Sequence, residues 1–450
     1  MKNYLIIIFC CLFFTYTNMW ALRITSVSSN SVVPANWKYP IIEWEDEISN
    51  GNYILKVKSS NKSLSIKVSG NKYHFKTREF IPFLKEKNIT FSVSRLDNTA
   101  FDSVSIIVDE NSFKDIVIYR LVEPLFNPSQ DALIEIYSIE KPSPENWLKL
   151  KSTCVGCHSY SKNSIVLNAK RGKDRRFIRA TTVNDNPIFK EQRFGEFSFV
   201  SISPDESKIL LVVRNKSIIE TKSNIIEPFD MTYTSGDIAI YDIDNGKLNL
   251  LPGASKPDIV EDMPSWSPDG KTIVFSRYKP YKKTNNLKPV SIWLVPYNDG
   301  KGGKPKPLFK KAPSDYCYFP RFSPDGKFIS FVVADAKKGY FARSTSTIWL
   351  YNIEDKTLKE MELNQKGTMN SWHSWSTDGK WLIFSSKRGN NNLTGLFIAR
   401  VYEDGRSSPA FKIVSSDKYK VNLPFVLPEE ENIKSGENIS NFIEFIYNKR

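Results

Sequence analysis

Apolar and polar residues alternate with a period of two in short runs at 42–44, 53–57, 63–68, 90–93 and 104–108, each bounded by polar turn residues. That period belongs to half-buried strands, so residues 22–110 are expected to form a small β-sandwich around Trp44. Residues 111–162 then bridge to the rest of the chain: 116–121 and 133–137 carry strand patterns, and 144–151 is expected to form a short helix. From there the chain repeats itself. An aromatic or apolar residue, a serine and a turn recur at Ile202-Ser203-Pro204-Asp205, Trp266-Ser267-Pro268-Asp269-Gly270, Phe322-Ser323-Pro324-Asp325-Gly326 and Trp375-Ser376-Thr377-Asp378-Gly379. Proline presets φ, aspartate bonds to local backbone and glycine accepts positive φ, so each is a tight turn between strands.

Further strands follow each turn, at 272–276, 328–332 and 381–385, and then at 292–295, 348–351 and 396–399. Short antiparallel strands recurring in groups of four, about every fifty to sixty residues, are the pattern of propeller blades, in which ring closure hides edges that single blades would expose. The fold class expected is therefore all-β, a β-propeller of five or six blades over residues 163–425 with a tail at 426–450. The recurrent Asp205, Asp269, Asp325 and Asp378 belong to the turns and not to carboxylate catalysis.

The N-terminal residues 1–21 place Lys2 before an apolar run at 5–14, the layout of a secretory signal too short for a comfortable membrane span. Met19, Trp20 and Ala21 make a poor cleavage site, so membrane association through an uncleaved signal stays open. Cys10 and Cys11 fall inside the signal. The expected location is the periplasm or cell envelope. A net charge of +14 and a pI near 9.2 favour acidic protein partners or anionic lipid, and export argues against nucleic acid. The basic residues Lys170, Arg171, Lys173, Arg175, Arg176 and Arg179 read either as a solvated blade edge or as a patch for an acidic redox partner or for haem propionates.

Export changes the meaning of Cys154-Val155-Gly156-Cys157-His158. Two thiols two residues apart can add to the vinyl groups of one porphyrin, and the next histidine can reach the iron from the same side, so the motif points to a single covalent haem c with His158 as proximal ligand. A disulfide or half of a zinc site is the alternative, and no second CxxC completes the latter. Cys317 is then left over and reads as a small buried apolar residue. His373, where other repeats have Pro264 and Pro320, and Met263, also before a repeat turn, are the candidate sixth ligands. Met231 and Met369 are further methionines of this kind, and His74 is expected at the sandwich surface.

Two resemblances extend this reading. Trp44 and the strand spacing of residues 22–110 resemble an immunoglobulin-like or fibronectin type III module. The Ser-Pro-Asp-Gly repeats resemble the TolB-type (PD40) propeller repeat from Phe197 to Ile413. With Tyr119-Arg120-Leu121-Val122-Glu123-Pro124, the CVGCH run and His373 before Ser374-Trp375-Ser376, the order resembles exported bacterial proteins that place a c-type haem motif before a TolB-like propeller. Glu206 and Thr377 depart from the repeat, where Gly and Pro are usual. The resemblance implies an exported monohaem propeller that transfers electrons or docks a partner according to its redox state. Two other readings remain: a haem enzyme working between haem and propeller channel, and a TolB-like interaction scaffold without haem.

Overall fold

The computed structural model describes residues 22–48, 51–124, 131–183, 186–221, 229–280, 289–314, 316–334, 343–389, 393–429 and 436–448. The expected signal at 1–21, with Cys10 and Cys11, and the side chain of Met231 lie outside the described residues. The protein is all-β, with one substantial helix at Gly436–Asn448 among the described residues.

Residues 22–110 form two facing sheets. One orders Arg23–Ile24, Ile41–Glu45 and Lys72–His74; the other orders Val32–Val33, Phe101–Val108, Asn88–Arg95, Asn52–Lys58 and Ser63–Ser69. Asn52–Lys58 buries Tyr53, Leu55 and Val57 and leaves Lys56 and Lys58 outside, as period two requires. Trp44 meets Tyr53 edge to face at 5.3 Å. This core is not closed off. It runs on through Trp37, 4.7 Å from Phe411, into Trp381, Ile383 and Ile398. At the junction Glu43 and Lys412 form a buried ion pair, and Ser415 Oγ donates to Glu43 at 2.7 Å.

The remaining strands make six four-stranded antiparallel units, numbered I to VI by position. Unit II is Cys154–Tyr160, Ser164–Arg171, Asp174–Val183 and Asn186–Gln192. Unit III is Phe197–Ile202, Lys208–Thr221, Phe229–Asp242 and Leu248–Leu250. Unit IV is Val260–Trp266, Thr272–Tyr278, Ser291–Pro296 and Lys306–Pro307, joined to unit III by one parallel pairing of Gly236 with Val260. Unit V is Cys317–Phe322, Phe328–Val333, Thr347–Asn352 and Leu358–Glu360, and unit VI is Asn370–Trp375, Trp381–Ser386, Gly395–Arg400 and Phe411–Val414. The first strand of each packs beside the first strand of the next, which makes a ring with these strands innermost.

Unit I closes the ring from both ends of the chain. Its inner strand is Lys420–Pro428, which pairs with Asp115–Val122; Ala132–Ser138 and Glu145–Leu150 lie outside these. The ring therefore begins at Asp115, ahead of the expected boundary at 163, and ends within the segment read as a tail. The helix expected at 144–151 is instead the outer strand Glu145–Leu150. Leu148 and Leu150, two residues apart, are buried on one face there, the period of a strand and not of a helix.

The repeat turns behave alike. Ser267, Ser323 and Ser376 hydroxyls each donate to the aspartate two residues on at 2.6 Å and accept the amide of the residue opening the next strand at 2.8–2.9 Å. Gly326 has φ of 73° and backs onto Pro268 of the preceding unit. Glu206 takes the glycine position with φ of 58° and accepts the Asn163 amide of unit II at 2.9 Å.

Gly436–Asn448 lies across units I and II, burying Ile439, Ile443 and Ile446 and stacking Phe442 on Phe189 at 4.7 Å. It also covers part of the basic stretch. Arg171 and Arg176 both lie 4.8 Å from the Tyr447 ring, Arg171 pairs with Glu444 at 2.8 Å, and Arg176 pairs with Asp174 and Glu191. These arginines are thus built into the protein, unlike a solvated edge, and Lys173 stays exposed.

Candidate site at the ring axis

All six inner strands break register at the same place. In five of them a residue with positive φ sits in the break: Phe199 at 48°, Met263 at 53°, Phe319 at 51°, Trp372 at 43° and Leu423 at 55°. A left-handed non-glycine residue costs about 1–2 kcal/mol, so the repetition is a feature held in place by packing. Phe199 of unit III lies 6.2 Å from Phe319 of unit V, a contact between non-adjacent units that only crosses at the axis. Met263 and Trp372 pack into the same cluster. The side chains at the break therefore plug the channel.

The sixth break is Gly156, inside CVGCH. A Cβ built there meets nothing within 4 Å, so the plug has a gap at this position. Cys154 and Cys157 flank it, both half-buried and both free thiols. Arg120 Nη1 donates to Gly156 O at 3.4 Å and Nη2 to Cys154 Sγ at 3.7 Å. Burial pushes the Cys157 thiol up to about 11, against the pull of the Phe199 main chain, Arg175 and Arg120.

His158 is 3% exposed and neither ring nitrogen has a hydrogen-bond partner. Burial holds it neutral, down to about 3, and the nearby Arg120 and Arg321 act in the same direction. It pairs across the sheet with Leu167, on the face shared by Val155 and Tyr160, and its ring lies 5.1 Å from Phe425. Cys157 packs on the opposite face, against the cluster of Phe177 and Phe197.

For haem c, the donor chemistry fits: two half-buried free thiols beside open space, a buried imidazole with unused nitrogens, and guanidiniums of Arg120 and Arg175 beside the thiols to meet propionates. The placement of the imidazole does not match it, since the sheet register turns His158 away from Cys157.

His373 is buried in the strand of unit VI, with Nε2 at 2.8 Å from Ser330 Oγ, which also accepts Trp375 Nε1 at 2.9 Å. It is pushed down to about 3 by burial and then by Arg321. Its one hydrogen-bonding partner is thus a neighbouring unit's serine. Met263 is fixed in the plug, its sulfur accepting from Ser276 Oγ at 4.0 Å. Met369 and Cys317 are fully buried and His74 is exposed. The repeat aspartates stay in their turns.

Arg321 was not a candidate from sequence. It stands where units III and IV have Ser201 and Ser265, and its guanidinium lies 5.7 Å from the Phe425 ring of unit I, two units away, so it spans the axis. The signal was there: a charge in an otherwise apolar innermost strand.

No family model and no curated protein matches the chain. Among solved structures, TolB from Acinetobacter baumannii superposes with a TM-score of 0.49 at 11% identity, covering 91% of this chain and 100% of that one. The β-propeller domain of the Trilobed protease from Pyrococcus furiosus gives 0.38 at 12% identity, covering 88% and 100%. Oligogalacturonate lyase from Vibrio parahaemolyticus gives 0.40 at 9% identity, covering 85% and 92%. At these levels the likeness is one of overall shape.

Proposed function

We propose that the chain is an exported six-bladed, TolB-like propeller of the cell envelope, with an immunoglobulin-like sandwich docked on one blade, that acts as a rigid interaction scaffold and carries one covalent haem c at its axis. Cys154 and Cys157 would hold the porphyrin; His158, on the other face of the strand, is the donor that the motif assigns to the iron. When bound, the group supplies one-electron redox chemistry. The chain's part is to hold the site in a dry ring, with the plug limiting water and Arg120 and Arg175 offering positive charge. The observation that carries this reading is the gap at Gly156, flanked by two free thiols and followed by a buried imidazole whose nitrogens are unused.

A scaffold without haem is the second reading, favoured by the seating of His158 between Tyr160 and Phe425 on the face away from Cys157. Expression with haem-maturation machinery, followed by haem staining after denaturing electrophoresis, separates the two. Covalent stain lost in Cys154→Ala supports the haem. A colourless chain whose Cys154 and Cys157 are both alkylated after reduction leaves the scaffold alone.

A further inference from the structure

Guanidiniums from two different units lie near His158, that of Arg120 reaching back to Gly156 O, and among the described residues neither has a carboxylate partner. Arg120 is 9% exposed, its Nε is buried and unpartnered, and its other nitrogens reach only a carbonyl and a sulfur at long range. Arg321 spans the axis to the Phe425 ring, which also contacts His158. The two imidazoles near it, His158 and His373, carry no negative charge to pair with it. The carboxylate close to Cys157 is Asp262, which receives the Met263 amide at 2.9 Å and the Tyr278 hydroxyl at 3.3 Å. A cation withdrawn from water without a counter-ion is costly, and a guanidinium with free donors presents the fork that matches a carboxylate. The main chain of Phe199, in the aromatic plug, hydrogen-bonds the Cys157 thiol next to Gly156.

We propose that the ring axis beside Gly156 is a binding site for a small organic carboxylate, held by Arg120 and Arg321 with its hydrocarbon part against the aromatic plug. The gap and Arg120 also serve the haem reading, so this site is proposed for the haem-free protein.

Calorimetric titration of the full-length protein with benzoate, and with sulfate as a bare oxyanion, tests this. Saturable one-site binding of benzoate, stronger than that of sulfate, is expected. Arg321→Gln removes a charge-assisted contact and should weaken it about tenfold to a hundredfold. Gly156→Val fills the gap without a clash at its Cβ and should abolish it, which keeps the test open if the arginine variant does not fold. Protein expressed without haem-maturation machinery carries no covalent haem and is the form titrated, so the two proposals fail separately. Absence of saturable benzoate binding, equal or stronger sulfate binding, or benzoate binding unchanged in Gly156→Val would overturn the proposal.

Discussion

Thr377 gives both its backbone amide and its hydroxyl to the carboxylate of Asp115, at 2.8 and 2.6 Å. Thr377 replaces the proline of the repeat turn in unit VI, and Asp115 opens the first strand of unit I, so the departure from the repeat falls at the seam where the ring is closed. A proline there has no amide to give. Burial raises the Asp115 carboxyl, and the two Thr377 bonds work against that rise.

Restoring the repeat should therefore weaken the protein. Thr377→Pro removes both donors from a buried carboxylate and is expected to cost about 1–3 kcal/mol in chemical denaturation, with Thr377→Val, which keeps the amide, losing less. A proline variant as stable as the parent would mean the seam is held elsewhere.

The buried imidazoles set an acid limit. His158 and His373 titrate near 3 in the fold against an ordinary value of 6.5, so the unfolded chain binds more protons below 6.5. The stability they contribute is full above pH 6.5 and is lost progressively as pH falls toward 3. His373→Gln should flatten the dependence of the unfolding midpoint across that window. An unchanged slope would show that His373 is already charged in the fold.

At the sandwich junction, Glu43→Ala leaves Lys412 buried with a 2%-exposed side chain and no countercharge, and is expected to cost about 3–5 kcal/mol. The double variant Glu43→Leu, Lys412→Met should recover most of this. Thermal melts of the three proteins decide it, and equal losses in the single and double variants would argue against a buried charge as the cause.

The terminal helix should be part of the cooperative unit. Ile443→Ala is expected to cost about 2–5 kcal/mol and to speed release of Gly436–Asn448 under limited proteolysis. A melt that stays unchanged would show a helix that merely rests on units I and II.

Local signals carried most of the fold. The turn at Trp266-Ser267-Pro268-Asp269-Gly270 states its own geometry, and the alternation at 53–57 states its buried face, because both depend on neighbours in sequence. What was not legible depends on distant pairing. Nothing at 420–428 says that its partner is Asp115–Val122, and nothing in CVGCH says that the motif lies on a strand, whose alternation sends Cys157 and His158 to opposite faces. Arg321 shows the same limit: its charge is evident in the sequence, its neighbour Phe425 is not.

The shared unit I also bears on how the molecule is made. Its strand at Asp115–Val122 leaves the ribosome about three hundred residues ahead of the partner at Lys420–Pro428. Throughout that interval the early strand waits with one edge unpaired, and a nascent chain truncated before residue 420 would present it permanently, as a ready template for aggregation.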